Sequence, residues 1–291
     1  MKPVLRRVLA DPLGVAGAVV VGAFLTLAAV ADLLAPKDPY RRYPALTRDL
    51  HPGFVPGPRP GFPLGSDDLG RDLLSRLLVG SRQSLLIGLC ATLSGLAVGA
   101  LIGALAASLG GWVDTVLMRF VDVLLAIPGL LLAISIAAVL DRPDRWVVIG
   151  AVATVSVPVF ARLLRGSILA ERGTDYLLAA RALGLRRRAI VLRHLLPNAL
   201  PVVLVQATLT FPIAIVDAAG LSFLGLGDQN PDRAEWGAMI GDAERYLDVR
   251  PALLIYPAIA IVVLALGFTL FGEALRAALD PRPTLDPRLT R

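Results

Sequence analysis

Reactive side chains are scarce in this sequence of 291 residues, and their spacing excludes most chemistry. Lysine occurs only at Lys2 and Lys37. A phosphate-cradling loop of the ATPase type needs a lysine after glycine, followed by Ser or Thr. Lys2 stands between Met1 and Pro3, and Lys37 between Pro36 and Asp38, so neither has that setting. The chain therefore cannot bind ATP by that device. His51 and His194 are the two histidines, and they fall in loops predicted on opposite sides of a membrane. No two-histidine metal site can form from them, and a Ser/His hydrolase within the bilayer has no candidate base. His194 reads as a polar contact in a loop helix. The single cysteine, Cys90, excludes an internal disulfide and a cysteine-cluster metal site. No catalytic, cofactor-binding or metal residue emerges.

The ionisable residues that interrupt otherwise apolar runs include Arg119, Asp122, Asp217 and Glu273. Arg119 and Asp122 are three apart on one helix, so a local pair is the simplest expectation. Asp217 stands near one end of its run, where water can reach it. Charged groups inside membranes are frequently functional, so Asp217 carries two readings, a structural residue or a gating and pathway residue. Paired midplane charges of the sort a proton-coupled carrier uses are missing from this set.

The elements that must position these residues are membrane spans. The chain is 56% hydrophobic with mean hydropathy +0.69, above the roughly 45–50% apolar content of soluble domains. Its net charge is +6 and its pI about 10.1. The arginines flank apolar runs and form no continuous stripe, which fits membrane orientation and not nucleic acid. An all-α, polytopic membrane fold with six transmembrane helices is expected. The spans fall at 12–34, 84–109, 116–140, 146–164, 198–220 and 252–275. The first run resembles a secretory signal in its Ala29, Val30, Ala31 triplet, but is too long for a typical apolar core of roughly 7–15 residues. It reads as an uncleaved anchor.

In the second span Gly95, Gly99, Gly103 and Ala107 recur every four residues. Such a stripe predicts close approach of another helix. Pro128, Pro158, Pro212 and Pro257 lie inside spans three to six. Kinks there suit helices that line a passage and equally suit inert packing. Between the first two spans, residues 35–63 hold eight prolines and should be irregular. Residues 64–78 carry Ser66 as a cap and Leu69, Leu73 and Leu77 along one side. They read as an amphipathic helix on the membrane surface, with an ordinary packed loop helix as the other reading. The proline-bearing tail is expected to be loosely ordered.

The densest polar break in the second half is DYLLAARALGLRRRAIVLRHLLPNALP, residues 175–201. Thr174 can cap a helix start, with Asp175 well placed against the helix dipole. At 3.6 residues per turn Tyr176, Ala179, Ala180 and Leu183 share one face. Gly184 ends that helix, and a second short helix follows over 186–196. A small, flat, partly aromatic face outside the lipid is suited to another protein's groove.

This stretch resembles the cytoplasmic EAA loop of ABC-importer permeases, whose pattern is Glu-Ala-Ala, three residues, Gly, then Ile-x-Leu-Pro. The matching residues are Leu178, Ala179 and Ala180, then Gly184, then RHLLP at 193–197 continuing as PNALP to 201. Leu178 stands where the family has glutamate. GSDDLGRD at 65–72 is similar to the family's GTDxxGRD run before the second span. AGLSFLGLG at 219–227 follows Asp217, where the family usually has Glu, and LRAALDPR at 275–282 resembles the branch's LRDALDPR. Together these motifs resemble the C-type permease subunit of dipeptide, oligopeptide and nickel ABC importers over nearly the whole chain.

That resemblance implies a domain plan: 1–35 as tail and first helix, 36–82 as an external loop with a surface helix, 83–276 as the permease core with its coupling loop at 172–197, and 277–291 as a cytoplasmic tail. It implies a second permease subunit, two ABC ATPase subunits and an external substrate-binding protein. Tyr176, Ala179, Ala180, Leu183 and Gly184 become the coupling residues and Asp217 the gating or pathway candidate. Arginine counts favour both termini and residues 186–188 on the cytoplasmic side, although the first external loop holds Lys37 and seven arginines of its own. A nickel or other small-solute importer, and a secondary transporter working alone, remain alternatives.

Overall fold

Asp11 caps the first long helix, its carboxylate accepting from the Leu13 N–H at 3.2 Å, and Pro12 supplies a preset first turn. The computed structural model describes residues 2–49, 54–140, 143–171, 174–228, 230 and 232–279. His51 lies outside them, as does the expected loose tail, residues 276–291, beyond residue 279. The first part of that tail, Arg276–Leu279, is corrected, because it continues the helix Ala252–Leu279. Among the described residues the elements are α1 Lys2–Ala10, α2 Pro12–Leu34, α3 Pro44–Thr47, α4 Leu73–Leu109, α5 Gly111–Ala126, α6 Gly129–Leu140, α7 Arg145–Glu171, α8 Asp175–Ala182, α9 Arg187–Ile190, α10 Leu196–Phe223, α11 Trp236–Ala243 and α12 Ala252–Leu279. A π-helical turn, Val191–Leu195, joins α9 to α10. No strand occurs among the described residues.

Among the described residues five helices are long and apolar enough to cross a membrane, or six crossings if the bent pair of α5 and α6 is one. The third predicted span is thus corrected: the chain bends by 95° between Ala126 and Gly129. Pro128 is the cause. Its ring drives Ile127 out of the helical region, to φ −93° and ψ 129°. Pro158, Pro212 and Pro257 instead lie within continuous α7, α10 and α12.

α4 has 37 residues, about 55 Å of helix against a hydrocarbon core of ~30 Å. Its glycine stripe packs on α7 as expected, backbone against backbone. A Cβ at Gly95 would come within 2.8 Å of the Ala153 carbonyl oxygen, at Gly99 within 2.5 Å of that of Val157, and at Gly103 within 2.4 Å of that of Ala161. α2 packs mainly on α12, and α10 packs against α4, α7 and α12.

The expected surface helix over 64–78 is also corrected, because helix begins only at Leu73. Asp67 turns the preceding residues into a knot. Its carboxylate accepts from the N–H groups of Leu69 (3.0 Å) and Arg71 (2.8 Å), offering the backbone an alternative to helix. Gly65 and Gly70 take φ of 74° and 76°, which L side chains resist. Asp72 then caps α4, accepting from the Ser75 N–H at 2.9 Å. Ser66, the expected cap, is not the residue that starts a helix.

Candidate functional site: the α8 loop and the opposite polar end

α8 sits at the end of the bundle where α4, α7 and α12 finish and α5 and α10 begin. Leu177 points inward with no exposed surface and packs with Leu164, Ile168, Ile190, Leu195 and Ala199. This apolar floor fixes which side of α8 faces out. Tyr176 (41%), Ala179 and Leu183 (83%) are exposed. Ala180 (6%) turns inward beside Leu177, so the face predicted from periodicity is divided: three of its four residues are presented and Ala180 is packed within the chain. Gly184 ends the helix with φ 75°, while the Leu185 N–H returns to the Ala180 carbonyl at 3.2 Å.

Residues outside the predicted set hold α8 in place. Glu171, the last residue of α7, accepts from the Tyr176 hydroxyl. The Asn198 side-chain amide, in the first turn of α10, donates to the same Glu171 oxygen at 3.3 Å and to the Tyr176 oxygen at 3.1 Å. The contact with Glu171 raises the phenol above its ordinary pKa. The Thr174 hydroxyl donates to the Glu171 carbonyl at 2.8 Å, so it closes the end of α7. The His194 ring lies 6.4 Å from that of Tyr176.

The expected local pair of Arg119 and Asp122 is not the pairing found for Asp122. Asp122 pairs instead with Arg162 of α7 at 2.6 Å. Glu273 lies 3.8 Å from Arg276. Asp217 is half-buried on α10, six residues before its end, far along the chain and at the opposite end of that helix from the α8 cluster.

At that opposite end a polar cavity of about 500 Å³ lies between the 65–72 knot, the end of α10 and α11. Arg71 and Arg76 are buried against Asp67, at 2.6 and 3.2 Å. Burial and the neighbouring Asp67 and Asp242 push Asp68 up to about 6. Glu235 caps α11 through the Gly237 N–H at 3.3 Å. Its burial pushes the carboxyl up to about 7. Trp236 then anchors α11 to α4, its indole N–H donating to the Leu77 carbonyl at 2.9 Å.

The family of binding-protein-dependent transport system inner membrane components matches residues 99–284. The chain belongs to that family. The N-terminal transmembrane domain of oligopeptide transport permease C also matches residues 1–52 of this permease. It is 36% identical over 272 residues to a dipeptide transport system permease protein, DppC, of Alkalihalophilus pseudofirmus, covering 94% of this chain and 86% of that one. It is 39% identical over 279 residues to a glutathione transport system permease protein, GsiD, of Pectobacterium atrosepticum, covering 95% and 89%. The fold is that of a solved inward-facing methionine ABC transporter, MetNI. The TM-score is 0.57 at 21% identity, over 70% of this permease and 96% of the other chain.

Proposed function

We propose that this permease forms half of the translocation pathway of an ATP-driven importer of dipeptides or short oligopeptides. Relatives named for dipeptide and glutathione transport, each aligned along most of the chain, support that solute class. The importer completes itself with a second permease, two ATPase subunits and an external binding protein. Hydrolysis takes place in the ATPase subunits, and both termini of this chain face the cytoplasm of a bacterial cell.

One observation carries the coupling role: α8 offers Tyr176, Ala179 and Leu183 outward from a floor of buried apolar residues. An ATPase groove that takes these side chains removes apolar area from water, about 1.5–3 kcal/mol for a fully buried large side chain. Docking alone transmits nothing, so the groove must carry α8 with it as it changes state. The experiment is Ala179→Glu. Ala179 is exposed, so the variant folds, but a charge enters the docked face. The expected result is loss of ATPase subunits on affinity purification, or loss of ATP-driven uptake. Unaltered co-purification and uptake would remove α8 as the docking element.

A further inference from the structure

Resting on the docking role of α8, we infer that Glu171, Tyr176 and Asn198 form a clasp that passes the motion of α8 into α7 and α10 together. Glu171 closes α7, Tyr176 opens α8 and Asn198 opens α10. One carboxylate oxygen of Glu171 takes both the Tyr176 hydroxyl and the Asn198 amide, and that amide reaches back to the Tyr176 oxygen at 3.1 Å. Three helix ends therefore share one triangle of hydrogen bonds, two of them to a charged acceptor.

The apolar floor beneath the clasp cannot do this alone. Leu164, Leu177 and Leu195 hold α8 down, but hydrophobic contact is non-directional and lets a short helix slide. Directed hydrogen bonds fix angle and register. The other ties from α8 to α7 are the chain itself, through residues 172 and 173, and the Thr174 hydroxyl and N–H, which donate to the Glu171 main-chain carbonyl at 2.8 and 3.1 Å and bypass its side chain. Without Asn198, the path from α8 to α10 runs through α9 and the π-helical turn Val191–Leu195. Glu171 and Asn198 are thus positioning residues. They touch no solute and act through Tyr176.

The test uses the assembled importer in lipid, in a Cys90→Ser background. Ala179→Cys reports docking by cross-linking to the ATPase subunit. A spin label at Gly150, where an added side chain meets nothing within 4 Å, reports α7 by its distance to a label on the partner permease, with and without ATP. Asn198→Ala and Glu171→Ala should leave the cross-link intact. They should lower the ratio of shifted to unshifted populations in the Gly150 distance distribution with ATP about tenfold, the factor in an equilibrium constant that one charge-assisted hydrogen bond can supply. Glu171→Gln, which keeps an acceptor oxygen, should recover most of it. An unchanged shift in both alanine variants overturns the clasp. So does a cross-link lost only in those variants, because the clasp would then hold the docking face and not relay its motion. Absence of the cross-link in every variant, Ala179→Cys alone included, instead defeats the docking reading on which the clasp rests.

Discussion

Arg165 of α7 holds Asp114 of α5 in a two-point grip, Nε to Oδ1 at 2.6 Å and Nη2 to Oδ2 at 2.7 Å. The pair ties the start of α5 to α7 two turns before Glu171. Further along, Arg162 and Asp122 make a second tie at 2.6 Å between the same two helices. Because Pro128 breaks the third crossing, α5 depends on such side-chain ties more than an unbroken helix would.

Arg165→Lys keeps the charge and discards the planar fork. A lysine cannot satisfy both oxygens in parallel. The pair is partly exposed, so the expected loss is about 1 kcal/mol. Thermal unfolding in detergent micelles should show a midpoint lowered by a few degrees, and an unmoved midpoint would show the fork to be idle.

Gly99→Val and Gly103→Val should separate α4 from α7. The new Cβ would meet carbonyl oxygens at 2.5 and 2.4 Å, atoms of a helix backbone that cannot step aside. Overpacking of this kind costs about 1–3 kcal/mol or more. Gly22→Ala, with nothing within 4 Å, serves as the control. Size-exclusion profiles should show the two valine variants aggregated or poorly accumulated and the control unaltered.

Asp67→Ala leaves Arg71 and Arg76 buried without the carboxylate that faces both. Breaking a buried ion pair from one side costs about 3–5 kcal/mol. The knot at 65–72 should open, and limited proteolysis should cut there in the variant and spare the wild type. Equal resistance in the two proteins would argue that the turn is held by its glycines alone.

Stability at the α11 end should depend on pH in a defined direction. Glu235 is raised from 4.5 to about 7 and Asp68 from 3.8 to about 6. A raised carboxyl binds its proton more tightly folded than unfolded. Its stabilising share is complete below the unfolded value, and it is lost as pH climbs through the folded one. The folded protein should therefore weaken between about pH 4 and pH 7 and level off above. Glu235→Gln removes the Glu235 share of this slope and should be the more stable protein at pH 8. A variant with the wild-type slope would place the titration elsewhere.

Much of the fold was legible because it is local. A run of apolar residues as long as Pro12–Leu34 must be helical in lipid, since every peptide group has to be paired within its own segment. Asp11 before Pro12 marks the start of that helix, and four small residues at intervals of four mark a close helix contact before any partner is known. The permease motifs around Ala179, Gly184 and Pro197 are likewise strings in the chain and need no geometry to be read.

What needed the tertiary structure is the choice of partner. Asp122 had Arg119 three residues away and pairs with Arg162; Trp236 donates to Leu77 across 159 positions. Periodicity placed Ala180 on the same face as Ala179, yet helix spacing cannot say which side of the helix will be covered, and Ala180 is buried in the folded chain. Residues 65–72 show the same limit. Helical spacing of leucines was present, but the Asp67 carboxylate captured the backbone once Arg71 and Arg76 closed around it. Sequence sets the length and polarity of each helix through solvent transfer and internal hydrogen bonding. Only packing decides which side chains from distant segments arrive close enough to outcompete a near neighbour.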